Sequence, residues 1–416
     1  MDQLPLCFLY LTVKIDYNKT KEGGFMKKIT ILTLHLDYGG IPQYLSSLCK
    51  MLEEEYDIEI IVTYKMRSQP AFEFSDRIKI TYLINERQNR QDFWDAVSRK
   101  NPFKILYQGI KGIKLLLQKR SRNKRAIKQI DSDYIITTFP FHSNLVGKYK
   151  SADTIGIATL HDYHNNDKKQ IQTLVKSVRK MDHLVVVSKE LEKFYKPLVK
   201  PTNCIYIPNV IDKLPTTVSQ CDTNNLIAIG RLSKEKGYAD LLDVVKLVKT
   251  RVKNVKLYLI GNGPEMSNLE TKVEEEDLEN TVELLGYQPK EVCDAYLNNS
   301  SLYIMTSFTE SFGLVLIEAQ SHKIPCIAFD CASGARQILK KTGILISNRD
   351  KEQMADQIIK LLKNKPRLKK LGEDSYQACQ MYLPDQVKEK WYKLLNHQSE
   401  KGTKHGQTKR KKSKVD

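Results

Sequence analysis

Short apolar runs, each followed by a stretch with helical periodicity, recur along the chain and constrain its fold more than any other feature. They fall at residues 26–32, 58–62, 78–83, 134–138, 155–158 and 184–187, and again at 226–230, 256–261, 282–285, 302–305, 325–329 and 343–346. Some, such as Leu302-Tyr303-Ile304-Met305, have no polar alternate positions, as expected of strands covered on both faces. Strands alternating with helices predict doubly wound α/β architecture, and 416 residues suggest two or three domains. Open sheets of this kind bind ligands outside the carboxyl ends of their strands, so function is sought in the loops there.

Three such loops carry chemistry. Thr309-Glu310-Ser311-Phe312-Gly313-Leu314-Val315-Leu316-Ile317-Glu318-Ala319 follows the run at 302–305, as a polar loop opening an apolar helix near Gly313. A helix start presents free N–H groups and partial positive charge to an anion such as phosphate, and Gly313 allows close backbone approach. Glu310 and Glu318 cannot bind phosphate, but both accept hydrogen bonds from hydroxyls. Sugar hydroxyls flanking a diphosphate would satisfy all of these groups. A strand–loop–helix unit with two solvated glutamates is the plain alternative. A second loop, Ile229-Gly230-Arg231-Leu232-Ser233-Lys234-Glu235-Lys236-Gly237, adds a planar fork at Arg231 and a point charge at Lys236. The third, His35-Leu36-Asp37-Tyr38-Gly39-Gly40-Ile41-Pro42, places paired glycines between the first strand and a helix over 43–52.

Together the second-half loops resemble the donor-site signature of the retaining, nucleotide-sugar-dependent glycosyltransferases of family 4, most specifically over residues 205–365. The resemblance implies a GT-B fold, two doubly wound Rossmann-like domains facing across a cleft. It implies an acceptor-side domain at 26–207, a linker at 208–225, a nucleotide-sugar-binding domain at 226–375 and a helix at 376–397 returning to the first domain. Pro208-Asn209-Val210-Ile211-Asp212 resembles the family hinge, with Val210 where glycine is usual. Arg231, Lys236 and the start at Phe312–Leu314 would neutralise the departing diphosphate, Glu310 would hold the transferred sugar, and Glu318 the ribose. His161, in Leu160-His161-Asp162-Tyr163-His164, matches a histidine that reaches the donor sugar in many relatives. Gly40 would face the diphosphate, and Tyr287, after Gly286, would lie beside the base. Glu310, His161, Arg231 and Lys236 are thus the candidate catalytic residues. Retention is implied by the resemblance alone.

No metal and no cofactor is expected, the nucleotide-sugar, a UDP-sugar by this reading, being a substrate. Asp131-Ser132-Asp133 has the form of a metal-binding D-x-D, but it directly precedes a strand and reads as a cap of the preceding helix. Gly261-Asn262-Gly263-Pro264 lacks the third glycine of a dinucleotide fingerprint and reads as a tight turn.

Charge speaks to the acceptor. The chain has 67 Lys+Arg against 49 Asp+Glu, a formal net charge of +18. No acidic residue lies between Asp95 and Asp131, where Arg99, Lys100, Lys104, Lys111, Lys114, Lys119, Arg120, Arg122, Lys124, Arg125 and Lys128 fall. Ile105, Leu106, Ile110, Ile113, Leu116 and Leu117 are interleaved, so residues 99–128 read as a basic amphipathic helix able to lie on an anionic membrane. The plain alternative is a surface helix whose apolar stripe faces the core. The expected acceptor is a lipid-linked or anionic glycan, as in capsule, teichoic-acid or exopolysaccharide assembly, at the inner face of the cell membrane. No motif of nucleic-acid recognition accompanies the charge, and no nucleic acid is expected.

Eight scattered cysteines without a C-x-x-C pair fit reduced thiols in a cytoplasm. No apolar run approaches the roughly eighteen residues of a membrane span. Residues 1–25 read as an extension before a true start at Met26, and 398–416 as a disordered basic tail. The rival reading from another class is a catalytically silent GT-B subunit that binds or scaffolds a partner transferase. The presence of Arg231, Lys236, Glu310 and Glu318 weighs against it.

Overall fold

The structure, a computed structural model, describes residues 26–396 apart from 162 and 332. The extension read at 1–25 and the tail read at 398–416 lie outside the described residues. Seven parallel strands form the first sheet: β1 (Lys27–Thr33), β2 (Tyr56–Tyr64), β3 (Lys79–Ile84), β4 (Tyr134–Thr137), β5 (Ile155–Leu160), β6 (His183–Val186) and β7 (Asn203–Tyr206). Their spatial order is β3-β2-β1-β4-β5-β6-β7. Six form the second: β8 (Asn225–Ile229), β9 (Lys256–Ile260), β10 (Val282–Gly286), β11 (Leu302–Met305), β12 (Cys326–Phe329) and β13 (Gly343–Ile346), in the order β10-β9-β8-β11-β12-β13. Helices connect most of the strands, and the strand order reverses beside the first strand of each sheet. The switch points therefore lie between β1 and β4 and between β8 and β11, where crevices for ligands open. The loops singled out in the sequence leave β1, β8 and β11 at those two points.

Branched apolar residues in register knit the sheets, as where Ile29 and Ile31 sit opposite Ile58 and Ile60. The closing helix Pro384–Asn396 buries Val387, Trp391, Leu394 and Leu395 in the same cluster as Ile29, Ile58 and Ile136. The Tyr134 hydroxyl donates to the Leu395 carbonyl, fixing the last turn to the first domain. The connection at 208–225 is not a loose tether: Ser219 is buried, its N–H donating to the His322 carbonyl at 2.9 Å.

Two features differ from the sequence reading, and a third decides between its alternatives. An edge strand, β7, pairs with β6 through Asn203–Tyr206, too short and too polar at its start to stand out. Asp133 does not cap the preceding helix; its carboxylate accepts from the Lys28 backbone N–H at 2.8 Å, tying β1 in place. A helix C-terminus already carries partial negative charge, so a carboxylate does better on a free strand N–H. Finally, the basic segment forms a single helix, α3 (Pro102–Gln129), after α1 (Gly40–Leu52) and α2 (Arg90–Ser98). Leu106, Ile110, Ile113, Leu116 and Leu117 face solvent and not the core.

Candidate functional site

Two glycines shape the second sheet's edge. Gly237 takes φ 64°, and a Cβ there would lie 2.2 Å from the Thr306 carbonyl oxygen, so only glycine lets the loop after β8 touch the loop after β11. Gly313, at φ 91°, caps the helix Leu314–Ser321 and turns the chain into its first turn. Positive φ costs a residue with a side chain, and glycine little.

With the loops held so, Lys236 Nζ donates to Glu310 Oε2 at 2.7 Å, joining two sequence-predicted residues 74 positions apart. Both side chains are largely covered, and Coulomb attraction is stronger there than in bulk water. An ammonium has three donors, so Lys236 can hold Glu310 and still offer N–H groups to a ligand. Arg231 is exposed, and among the described residues its guanidinium has no hydrogen-bond partner. The Ser233 hydroxyl and the Arg231 and Lys236 charges hold the Glu235 carboxyl below its usual range against partial burial.

Glu318 projects from the helix Leu314–Ser321 toward the first domain. Its Oε1 accepts from Gln43 Nε2 of α1 at 2.7 Å, across 275 residues of sequence. Burial raises its carboxyl pKa, opposed by the Lys290 charge and the Gln43 bond. A second crossing joins Thr309 Oγ1 to Asn165 Oδ1 at 2.7 Å. Asn165 and Thr309 line a cavity of about 560 Å3, together with Thr138, Ser143, Thr159, His161, Asp167 and Lys169 of the first domain and Glu310 and Ser311 of the second.

The His161 ring lies tilted against Tyr44 with centroids 4.4 Å apart, and burial pushes its imidazole down to about 3, so it is neutral at physiological pH. The Thr159 hydroxyl donates to the Thr137 carbonyl at 3.2 Å and also lies 2.9 Å from His161 Nε2. Nε2 therefore donates to Thr159, and Nδ1 keeps its lone pair for a hydroxyl. As a neutral acceptor, His161 can orient a sugar but cannot supply positive charge.

Of the sequence candidates, His161 and Glu310 line this cavity and the others do not. Gly40 opens α1, with nothing within 4 Å of where a Cβ would stand; the positive φ of 150° belongs to its neighbour Gly39. Phe312 is buried edge-on against Tyr382 at 5.6 Å, so only its backbone serves the helix start. Leu314 is the first residue of that helix and half-buried. Tyr287 follows β10 and meets Tyr38 of the first domain at 4.7 Å between ring centroids. The bond with Tyr38, together with burial, pushes the Tyr287 phenol up to about 12.

Sequence reading missed Arg349. Its guanidinium lies over the Phe308 and Phe329 rings at 4.0 and 4.2 Å, pairs with Asp240 at 2.8 Å and donates to the carbonyls of Thr306 and Ser307. It thereby holds the loop that carries Glu310. No motif surrounds it, and nothing in the sequence links it to a loop some forty positions earlier. Gln43 and Asn165 were missed for the same reason.

Comparison with known proteins adds the following. The family model described as Glycosyl transferases group 1 matches residues 215–378. An exopolysaccharide phosphotransferase of Streptomyces coelicolor is 24% identical over 393 residues, which cover 89% of this chain and 40% of that protein. A poly(ribitol-phosphate) alpha-N-acetylglucosaminyltransferase of Staphylococcus aureus is 26% identical over 258 residues, 60% of this chain and 52% of that one. The chain thus spans about half the length of the curated relatives it matches. Among solved structures, S. aureus TarM, crystallised with fondaparinux, alpha-GlcNAc-glycerol and UDP, superposes with a TM-score of 0.73 at 17% identity, over 89% of this chain and 100% of that one. That likeness establishes the two-domain GT-B fold. No described helix is long and apolar enough to cross a membrane.

Proposed function

We propose, from the premise that residues 215–378 belong to the glycosyl transferases group 1, that the protein moves a sugar from a nucleotide-sugar to a glycan acceptor. The donor is a UDP-sugar and the acceptor a lipid-linked or cell-surface glycan, handled at the inner face of the cell membrane. UDP in the TarM structure, and the poly(ribitol-phosphate) acceptor in the name of the S. aureus relative, support this reading.

The observation that carries it most is the Lys236–Glu310 pair at 2.7 Å, with Arg231 in the same loop making no side-chain hydrogen bond among the described residues. Breaking the sugar–phosphate C–O bond loads negative charge onto phosphate oxygens. Arg231, Lys236 and the N–H groups at 312–314 would meet that charge. Preorganised donors of this kind are each worth roughly 10²- to 10³-fold in rate, about 3–4 kcal/mol. Two cations and a helix start supply the positive charge that a divalent metal supplies elsewhere, so the reaction is proposed to be metal-independent. Glu310, held by Lys236, would accept from hydroxyls of the transferred sugar. Glu318 would accept from the ribose in exchange for Gln43, and Tyr287 would flank the base.

Retention follows most economically from attack on the face that the diphosphate leaves, with a phosphate oxygen taking the acceptor's proton. Double displacement needs a carboxylate on the opposite face of the sugar. His161 is neutral, and its Nδ1 lone pair suits a sugar hydroxyl better than a proton-transfer role.

The test is nucleoside diphosphate release by the purified protein from a panel of UDP-, GDP- and ADP-sugars, with and without EDTA. Release from a UDP-sugar, unchanged by EDTA, is expected. No release from any donor would favour a silent binding subunit, and loss with EDTA would overturn metal independence.

A further inference from the structure

The outer face of α3 has no function in the donor site. Phe103, Leu106, Ile110, Ile113 and Leu117 lie on one stripe of this helix, each more than 60% exposed, while its inner face carries Ile105, Gln108, Gly109 and Gly112. Over its first four turns the helix is built inside out, contrary to what burial of apolar surface favours. Trp94 of α2, the helix packed against α3, is also exposed, at 58%.

Its placement is specific. Leu115 packs with Tyr64 and Ile84, the last residues of β2 and β3, and Asn123 Nδ2 donates to Thr63 Oγ1 at 3.2 Å. Farther along, Ile127 joins the cluster of Leu32, Ile61 and Ile135. The helix thus runs antiparallel to the strands, and residues before Leu115 extend past the sheet's carboxyl edge. At about 1.5 Å per residue the overhang is about 18 Å, on the same edge as the cleft. The Asn89 side chain braces it by donating to the Gln108 carbonyl at 2.7 Å.

We propose that this overhanging face docks the protein on an anionic lipid surface, with the cleft edge turned toward the bilayer. Charge complementarity selects the occupant. Eleven basic and no acidic residues lie between Asp95 and Asp131, and among the described residues only the Lys111–Glu86 pair at 3.5 Å neutralises one of them. A second copy of the same face would bring like charges together. An amphipathic helix of this composition lies in the interface, its apolar side chains among the acyl chains and its lysines at the headgroups. Each basic residue near such a surface contributes about fivefold in binding. The inference does not depend on the transferase reading.

The experiment is co-flotation of the full chain with phosphatidylcholine vesicles, with and without 30% phosphatidylglycerol. Binding to anionic vesicles only, weakened by salt, is expected. The double variant Ile110→Glu, Ile113→Glu should lower it by at least about tenfold, and Lys104→Glu, Lys114→Glu by about as much. All four positions are exposed or carry exposed side chains, so the circular dichroism of both variants should match the parent. Equal binding to neutral vesicles, or no binding to anionic ones, would overturn the proposal. So would an oligomer, seen by light scattering, that the Ile110→Glu, Ile113→Glu variant abolishes.

Discussion

The two carboxyl edges that face each other across the cleft belong to sheets of the same kind and carry different chemistry. The second edge is charged and locked. Lys236 grips Glu310, Arg349 clamps the loop beneath it, and Gly237 lies too close to the Thr306 carbonyl to admit a side chain. The first edge is open and carries less fixed charge, with Asp167 and Lys169 lining the cavity on that side. Thr138, Ser143, Thr159 and a neutral His161 line the cavity there, and the space beside Gly40 is empty. Fixed charge in a fixed loop suits a ligand fragment of constant charge and shape, such as a diphosphate. Neutral hydroxyls in an open pocket suit a partner that varies among relatives. The matching family model covers residues 215–378, the locked edge, and stops short of the open one.

Substitutions can break this contrast. The largest effect is expected at Lys236→Ala, with kcat reduced by about 10²- to 10³-fold and KM changed less, because the charge peaks in the transition state. A rise in KM alone would make Lys236 a ground-state anchor. Glu318→Ala should weaken donor binding by about 1.5–3 kcal/mol, the worth of hydrogen bonds to a charged group, measured by calorimetry. An unchanged Kd would remove the ribose assignment.

Two glycine substitutions compare the edges directly. Gly237→Ala should destabilise the protein by about 1–3 kcal/mol in urea titration, through left-handed strain and the clash with Thr306. Gly40→Ala, in open space at the start of α1, should leave stability within about 1 kcal/mol and lower activity alone. Equal stability losses would erase the distinction between a locked and an open edge.

Acid sharpens it further. His35, His142, His161, His164 and His183 all have pKa values lowered by burial, and all lie in the first domain. His142 and His161, at about 3, stay neutral in the folded chain while the unfolded chain takes up a proton, and the other three are shifted in the same direction. Their contribution is complete above the unfolded value near 6.5 and shrinks as pH falls toward the folded values, at most about 1.4 kcal/mol per pH unit for each. Asp243 and Asp294 of the second domain, lowered by lysine and histidine partners against burial, lose their contribution only as pH falls below the usual aspartate range. Unfolding followed by domain-specific hydrogen exchange from pH 6.5 to 4.5 should therefore show the first domain weakening first. Equal weakening of both would contradict the assignment.

The alternating fold was legible because parallel strands covered on both faces leave short apolar runs, and the second sheet's loops because their groups lie close together in sequence. Gly230 to Gly237 and Glu310 to Glu318 can be read as local stretches. Gln43 reaching Glu318, Asn165 reaching Thr309 and Arg349 reaching the Thr306 carbonyl depend on how distant elements pack, and no local pattern encodes that. The stripe on α3 was visible as periodicity, but periodicity does not say which way a stripe faces. Its inner face mixes Leu115 and Ile127 with glycine and polar groups that hydrogen-bond to neighbours, as Gln108 does with Asn89.

The central claim is that fixed positive charge on the second edge receives the diphosphate. A crystal structure of the protein with UDP tests it most directly. The account predicts β-phosphate oxygens about 3 Å from the guanidinium of Arg231 and from Lys236 Nζ, over the helix start at 312–314. UDP bound with its phosphates away from both cations would contradict it.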